Sequence, residues 1–329
     1  MQAGSRFLSS GNRIRSNVCL PHIMRSVTSL LLATLSLPVF CQKQFVDSLF
    51  ITTSDSVRLF VKRSGTGYPV AFIHGGPGSN SFYFEKEGGD VFSRIVQIIY
   101  VDQRGCGRSD SAMNNDYSLT RVVKDFDEVR QRLGYKQWMV MAHSFGGILA
   151  TEYAFNYSPT VRAMVYLNCT VNLPATAVSG LVKGVELMGN KPEDVKYFLN
   201  DSIPILKRWG ELFGRLNEKD LVYKLMFDKK QSKEYDDSLM ALPYLKYIYA
   251  RRLWDYPEYF VDFSSKTSHI TVPVLVISGT RDYTIGVDHY KLMHFPNMEV
   301  KFVEGGHALY YEHNKELYDS VSPFLKGNK

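Results

Sequence analysis

The stretch MVMAHSFGG at residues 139–147 decides the fold of this chain. Its first four residues are apolar and suit a buried strand, whereas the glycines that follow Ser144 suit the start of a helix. A strand that ends at a serine and passes at once into a helix is typical of a nucleophile elbow, a sharp turn that exposes the serine hydroxyl. The glycine usual two residues before the serine is Ala142 here, which is still small. The stretch predicts Ser144 as a nucleophile, and an ordinary strand–turn–helix junction is the alternative.

Outside this stretch, short apolar runs alternate with segments of helical periodicity. The predicted strands lie at Phe50–Thr53, Val57–Lys62, Val70–Ile73, Ile95–Val101, Trp138–Ala142, Val161–Leu167, Val272–Ser278 and Val300–Val303, and the predicted helices lie near Leu119–Leu133, Phe145–Asn156, Val287–His294 and Lys315–Leu325. Ser118 is a plausible N-cap of the first of these helices, and Gly134 is its stop. Strands that alternate with helices in this way predict a parallel sheet.

The alternation stops between about Val171 and Ile270, where the pattern is mainly helical and rich in tyrosine, phenylalanine and tryptophan. We interpret this block as one helical insertion between two strands, and we call residues 171–270 the cap segment. The predicted organisation is then a core formed by residues 42–170 and 271–329, interrupted by the cap segment.

An acid and a histidine follow the last two predicted strands. Asp282 comes just after the strand at Val272–Ser278, and His307 comes just after the strand at Val300–Val303. The chain order serine, acid, histidine resembles that of the α/β-hydrolases, in which each residue lies at the carboxyl end of a strand. The prediction is an α/β-hydrolase fold with helices on both faces of a mostly parallel sheet and a helical cap. Asp288 is the alternative acid, and a structural loop histidine is the alternative for His307 taken alone.

The motif HGGPG at residues 74–78 follows the predicted strand at Val70–Ile73. Glycines at this place let the backbone approach the substrate and direct an N–H group toward it. The backbone N–H groups of Gly76 and Phe145 are therefore the predicted oxyanion hole. His74 is expected to brace the loop rather than to ionise during catalysis.

The motif at residues 74–78, followed by DQRGCGRS at residues 102–109, resembles the paired signature of the prolyl iminopeptidases. The resemblance covers roughly residues 50–170 and 270–326. It implies a cofactor-free serine aminopeptidase that removes an N-terminal residue, often proline, from short peptides. Carried onto this sequence, it implies Ser144, Asp282 and His307 as the catalytic triad and Gly76 and Phe145 as oxyanion donors. The loop at residues 102–109 is interpreted as architecture, held by ion pairs of Asp102 and Arg104.

Two departures from the family concern substrate binding. Phe145 stands where many members have a tryptophan after the nucleophile. Family members also carry cap glutamates that hold the substrate ammonium, in a tryptophan-rich context that ends in Trp-Glu. The nearest feature here contains Trp254, Asp255 and Glu258, which are the candidate substrate-binding residues. The alternative is that both acids belong to the solvated surface of the cap segment and that Trp254 only packs.

The charge distribution argues against nucleic-acid binding. The formal net charge is +6, but residues 1–41 contain four arginines and neither an acid nor a lysine. Without them the chain carries 35 basic and 33 acidic residues. A nearly neutral body is not the basic surface that phosphate backbones require.

Residues 1–41 also have the pattern of a targeting segment. Arg25 precedes the apolar run Val27–Phe40, which ends near Cys41 with small or apolar residues. A positive flank and a short apolar stretch predict a secretory signal peptide, which would start at Met24 if residues 1–23 are not translated. The run is shorter than the roughly 20 apolar residues of a membrane span. We therefore expect an exported protein whose mature part does not span a membrane. A retained membrane anchor and an organelle transit peptide are the alternatives.

The predicted function is that of a serine hydrolase acting through an acyl-enzyme, without metal or cofactor. The preferred substrate is a short peptide with a small or proline N-terminus. The alternative is a carboxylesterase or lactonase whose aromatic cap forms an apolar pocket, since a fold and a triad do not determine a substrate. A binding protein that has lost turnover is the third hypothesis. Cys106 and Cys169 are expected to be free thiols.

Overall fold

The computed structural model describes residues 45–329, and the predicted targeting segment at residues 1–41 lies outside them. The strands are β1 (Val46–Thr52), β2 (Arg58–Ser64), β3 (Pro69–Ile73), β4 (Gln97–Val101), β5 (Cys106–Gly107), β6 (Trp138–His143), β7 (Val161–Leu167), β8 (Lys246–Tyr247), β9 (Val274–Gly279) and β10 (Met298–Val303). Eight of them form one sheet in the order β1-β2-β4-β3-β6-β7-β9-β10, while β5 and β8 pair separately. β1 and β2 are antiparallel, as are β2 and β4, and every other neighbouring pair in the large sheet is parallel.

Helices cover both faces of this sheet and fill the connection between β7 and β9. They are α1 (Phe82–Glu87), α2 (Gly89–Phe92), α3 (Leu119–Arg132), α4 (Gly146–Asn156), α5 (Leu173–Leu187), α6 (Pro192–Phe198), α7 (Ile205–Glu218), α8 (Tyr223–Met226), α9 (Lys230–Met240), α10 (Ile248–Arg252), α11 (Ser264–Thr267), α12 (Leu309–Glu312) and α13 (Asn314–Gly327). Short 3-10 helices lie at Ser158–Thr160, Leu253–Asp255, Pro257–Phe260 and His289–Leu292. Helices α5–α11 fall between β7 and β9, within the cap segment.

The central strand β6 shows how the sheet is buried. All six of its residues are buried, and alternate side chains point to opposite faces. Trp138 and Val140 belong to the hydrophobic cluster that contains residues of α3 and α4, whereas Met139 and Met141 belong to the cluster that contains residues of α13. A strand covered on both faces is apolar throughout, which explains the unbroken apolar run. The predicted fold, a mostly parallel sheet with helices on both faces, is confirmed.

One predicted helix is wrong. Residues 287–294 form only the 3-10 turn at His289–Leu292. His289 is buried, and its Nε2 accepts a hydrogen bond from the backbone N–H of Val171 (3.0 Å), so the chain turns inward there. Gly286 before it has a φ of +111°, and Pro296 follows closely. The short stretch between these two residues leaves little room for a regular helix.

The cap segment contains a small hydrophobic cluster of its own. Side chains of α5, α6 and α7 pack there, among them Leu181, Val185, Phe198, Leu212 and Leu216. Within residues 45–329, no helix combines the length and the hydropathy needed to cross a bilayer.

Candidate active site

Ser144 lies in a tight turn at the carboxyl end of β6. Its φ is +58°, in the left-handed region that a serine rarely adopts. The Ser144 N–H donates to the carbonyl of Asn168 (3.1 Å), and α4 begins two residues later at Gly146. A Cβ on Gly75 would lie 2.6 Å from the Ser144 Cβ, and one on Gly146 would lie 2.3 Å from the Ile73 carbonyl oxygen. The predicted turn is therefore present, and glycines allow the close packing around it.

The structure brings Asp282 and His307 together. The Nδ1 of His307 lies 3.1 Å from Oδ2 of Asp282, and both side chains are almost fully buried. The other carboxylate oxygen of Asp282 accepts the backbone N–H groups of Thr284 (3.1 Å) and Ile285 (3.0 Å). Such a carboxylate can hold the imidazole with Nδ1 protonated, so that Nε2 is free to accept a proton.

Asp288, the alternative acid, faces away from this pair. Its side chain is 69% exposed and forms an ion pair with Lys291 (2.7 Å). Asp282 rather than Asp288 is thus the acid beside His307.

A cavity of about 490 Å³, which we call cavity A, contains both Ser144 and His307 in its wall. The loop at residues 74–78 forms one side of it. The cap segment forms the opposite side through Met226, Phe227, Asp236, Met240 and Tyr247. The site therefore lies between core and cap, at the carboxyl end of the strands.

Asp236 is the carboxylate of cavity A that the sequence did not reveal. It lies on α9, half-buried, and its Oδ1 accepts a hydrogen bond from the Tyr311 hydroxyl (3.0 Å). Burial raises the pKa of Asp236 to about 6, because desolvation disfavours the charged form. The neighbouring Asp237 is exposed and pairs with Lys233 on the surface. In the sequence the two acids look alike, and only the helix packing separates them.

A second, apolar cavity of about 240 Å³, cavity B, also reaches Ser144. Gly76 and Phe145 line it from the core. Trp209, Trp254 and Phe260 are among the residues that line it from the cap segment, and none of its lining side chains is charged. Trp254, a candidate substrate-binding residue, thus lines the same cavity as Ser144, and its side chain is 56% exposed.

The predicted ammonium anchors are not at the site. Asp255 is exposed and lies 3.3 Å from the Arg252 guanidinium. The Glu258 carboxylate accepts the backbone N–H of Leu119 (3.3 Å), at the start of α3. Neither acid lines cavity A or cavity B. The prediction for both is corrected, because Asp255 pairs with Arg252 at the surface and Glu258 binds the backbone at the start of α3.

The predicted oxyanion donors both lie beside Ser144. Gly76 lines both cavities, and Phe145 lines cavity B. Within residues 45–329, neither backbone N–H donates to a protein acceptor, so both are free to bind an oxygen of a substrate. The φ of Gly76 is +128°, which only glycine adopts readily.

His74 holds this loop in place. Its Nε2 accepts the backbone N–H of Gln103 (3.1 Å), and the Gln103 side-chain amide donates to the His74 carbonyl (2.8 Å). The Nδ1 of His74 lies 3.0 Å from the Gly75 carbonyl. Burial lowers the pKa of His74 to about 4, so that the ring is neutral at physiological pH. The bracing role predicted for His74 agrees with these contacts.

The loop at residues 102–109 is tied down by ion pairs, as predicted. Asp102 pairs with Arg108 (2.7 Å), and Arg104 pairs with Asp125 (2.6 Å) and Asp55 (2.8 Å). None of residues 102–109 lines cavity A or cavity B.

The cap segment is bonded directly to the loops that carry the acid and the histidine. The backbone N–H of His307 donates to the Met226 carbonyl (2.7 Å). The Arg281 guanidinium, next to Asp282, donates two hydrogen bonds of 2.7 Å to the Asp228 carboxylate. The Thr284 hydroxyl donates to the Leu225 carbonyl (3.0 Å). We call residues 225–228 the cap strap.

Asp228, Glu312 and His313 are the described residues whose ligand atoms come close enough to hold a metal ion, within 4.8 Å of one another. The Asp228 carboxylate, however, accepts hydrogen bonds from Arg281 and from His313 (2.7 Å). The Glu312 carboxylate accepts the Asp228 N–H (2.8 Å) and the Ser232 hydroxyl (2.7 Å). The cluster is therefore a hydrogen-bonded network between core and cap.

Sequence relatives carry the name proline iminopeptidase. One from Neisseria gonorrhoeae is 34% identical over 127 residues, which are 37% of this chain and only 40% of that relative. One from Saccharolobus solfataricus is 24% identical over 282 residues, which are 79% of this chain and 86% of the relative. The chain thus matches less than half the length of the first relative and most of the second.

Solved structures share the fold. A proline iminopeptidase-related protein from Thermus thermophilus has a TM-score of 0.65 at 21% identity. The superposition covers 87% of this chain and 97% of the Thermus chain. An esterase from Exiguobacterium antarcticum has a TM-score of 0.60 at 20% identity. The superposition covers 85% of this chain and 100% of the esterase chain. At these identities the likeness concerns the fold alone. Residues 68–314 match the family described as alpha/beta hydrolase fold, and the chain belongs to that family.

Proposed function

We propose that the protein is a serine hydrolase with Ser144 as nucleophile, His307 as general base and Asp282 as the residue that orients His307. The geometry of the Asp282–His307 pair and the turn at Ser144 support this proposal. The Ser144 hydroxyl attacks the substrate carbonyl while His307 takes its proton, and the oxyanion binds to the N–H groups of Gly76 and Phe145.

The leaving group then departs with the proton held by His307, and the acyl group remains as an ester on Ser144. Water attacks this ester, His307 again takes a proton, and the acid product leaves as the Ser144 hydroxyl is restored. The two half-reactions balance without any group from outside the chain other than substrate and water.

We propose further that the substrate is a short peptide from which the N-terminal residue is released. The observation that carries this proposal is Asp236, a half-buried carboxylate in the same cavity as Ser144. The α-amine of an N-terminal residue lies two bonds from the scissile carbonyl carbon, so its partner must line the cavity that contains the nucleophile. A carboxylate there favours a substrate that brings a cation. The relatives named proline iminopeptidase support the same substrate class.

We expect Asp236→Asn to weaken the binding of amine-bearing substrates. The KM for proline 4-nitroanilide should rise about 10- to 100-fold, the equivalent of one charged hydrogen bond. The KM for 4-nitrophenyl acetate, which has no amine, should stay close to that of the wild type. Steady-state kinetics on both substrates check this. Asp237→Asn is the matched control and should change neither value.

An equal loss on both substrates in Asp236→Asn would instead assign a structural role to Asp236. Acetylation of the substrate amine should abolish the advantage of the wild type over Asp236→Asn on the anilide.

The pH dependence follows from the pKa of Asp236, which is about 6. Its carboxyl group is charged above pH 6 and neutral below, while a substrate α-amine is charged below about pH 8. The ratio of kcat/KM for proline 4-nitroanilide to that for 4-nitrophenyl acetate should therefore be highest between these values. It should fall as the pH drops through 6 and level off after a loss of about 10- to 100-fold, the loss expected for the neutral side chain of Asp236→Asn. A ratio that stays flat across pH 5–7 in the wild type would contradict the assignment.

Cavity B favours a second candidate function, an esterase or lactonase. Its uncharged and mostly apolar wall suits an apolar acyl or alcohol group. Turnover of 4-nitrophenyl acetate or butyrate without any turnover of proline or alanine 4-nitroanilide would favour this candidate over the aminopeptidase.

A further inference from the structure

Asn168, the residue that follows β7, contacts all three loops of the proposed triad. Its backbone carbonyl accepts the N–H of Ser144 (3.1 Å). Its side-chain Oδ1 accepts the N–H of Gly279 (2.7 Å), the last residue of β9 and three residues before the acid. Its Nδ2 donates to the carbonyls of Gly306 (3.0 Å) and His307 (2.8 Å). β7 lies between β6 and β9 in the sheet, which explains how one residue reaches every loop.

The Asn168 side chain is fully used by these contacts. It is only 4% exposed, so its amide depends on protein partners. The two carbonyls can only accept hydrogen bonds and the Gly279 N–H can only donate one, which fixes the orientation of the amide. Aspartate has the same shape but no donor when ionised, and glutamine is one methylene longer. Asparagine therefore fits the three partners, whereas its nearest analogues do not.

We propose that Asn168 is a positioning residue that sets the spacing between the acid loop and the histidine loop of the triad. The inference rests on the proposed roles of Ser144, Asp282 and His307. The Asn168 amide joins the backbone before Asp282 to the backbone at His307, and its carbonyl fixes the start of the Ser144 turn. The same His307 carbonyl also lies 3.2 Å from Nε2 of His143.

A simpler explanation for an asparagine here is backbone conformation, because Asn168 has a φ of +47°. Asparagine, aspartate and glycine all tolerate this region better than other residues. If conformation alone mattered, Asn168→Gly and Asn168→Asp would both act like the wild type. If the side-chain hydrogen bonds matter, both variants lose activity, because glycine removes all three and aspartate faces two carbonyl oxygens.

The experiment compares Asn168→Gly and Asn168→Asp with the wild type in the full chain. We expect kcat for 4-nitrophenyl acetate to fall about 100-fold in each variant, with KM little changed, because a small misplacement of catalytic groups has an effect of that size. The rate at which a fluorophosphonate labels Ser144 should fall by a similar factor. The low-field proton resonance of the Asp282–His307 hydrogen bond should weaken or disappear.

Asn190→Gly is the matched control, since Asn190 has a φ of +52° and is exposed at the end of α5. It should leave kcat and labelling unchanged. Near-ultraviolet circular dichroism verifies that each variant is folded. If Asn168→Gly is unstable, the comparison uses Asn168→Asp alone, which can still accept the hydrogen bond from the Gly279 N–H.

Wild-type kcat and labelling rate in folded Asn168→Gly or Asn168→Asp would overturn the inference while leaving the triad intact. A wild-type protein that neither hydrolyses these substrates nor reacts with a fluorophosphonate at Ser144 would overturn the proposed function, and the inference with it.

Discussion

Replacing Ser144 with alanine should lower kcat for both anilide and ester substrates by roughly 10⁶-fold, the loss expected when the nucleophile of a cooperating triad is removed. Without the hydroxyl no acyl-enzyme forms, and His307 has no proton to accept from the protein. The oxyanion hole and the cavities remain, so a small residual rate above water is expected. Progress curves on purified protein measure the effect, and active-site labelling with a fluorophosphonate measures it independently of substrate choice.

The control for this variant is Ser268→Ala, which removes an exposed hydroxyl that lines neither cavity and should leave all rates unchanged. Fluorophosphonate labelling of Ser144→Ala at another serine, with turnover preserved, would show that the nucleophile lies elsewhere. Labelling of wild-type Ser144 without turnover of either substrate class would support the third hypothesis, a hydrolase fold that binds its ligand without converting it.

The exchange of Asp282 for asparagine should lower kcat about 10⁴-fold, because an amide in this place stabilises the wrong tautomer of the imidazole. The two backbone N–H groups that bind Oδ1 of Asp282 would hold the amide oxygen and turn the amide nitrogen toward Nδ1 of His307. Nδ1 of His307 would then accept a hydrogen bond rather than donate one. Nε2 would already be protonated and could not take the proton of the Ser144 hydroxyl. KM should change little, since Asp282 does not line either cavity.

Asp288→Asn is the matched control for Asp282→Asn. Asp288 lies in the same loop as Asp282. The substitution removes only its surface ion pair with Lys291, and we expect no effect on kcat. A large loss of kcat in Asp288→Asn together with a small one in Asp282→Asn would reverse the assignment of the acid.

The sequence predicts the core and the chemistry for a local reason. Ser144 directly follows the buried strand β6, whereas Asp282 and His307 come a few residues after β9 and β10, and the carboxyl ends of these parallel strands meet at one edge of the sheet. A short apolar run and the polar residue after it are both visible in a linear sequence. By the same logic Asn168, a polar residue directly after β7, could have been recognised as part of the site.

The cap segment could not be interpreted in this way. Asp236 and Asp237 are adjacent acids on α9, and nothing in their neighbours distinguishes the one in cavity A from the one on the surface. Which of them faces Ser144 depends on how α9 packs against the core, which involves residues far away in sequence such as Tyr311. The aromatic context of Trp254 led to Asp255 and Glu258, although only the tryptophan of that group reaches a cavity.

The cap strap connects the cap segment to the loops that carry the proposed acid and base. Met226 binds the backbone of the proposed base, and Asp228 binds the residue beside the proposed acid. If the cap segment only covered the cavities, exchanging or shortening it would change only which substrates can enter. Here, Leu225, Met226 and Asp228 contact the loops of Asp282 and His307 from the cap segment, while Asn168 contacts the same loops from the core. Divergence toward new substrates is therefore freer in α5, α7 and α9 than in the strap, since any change of the cap segment must keep the contacts of Leu225, Met226 and Asp228.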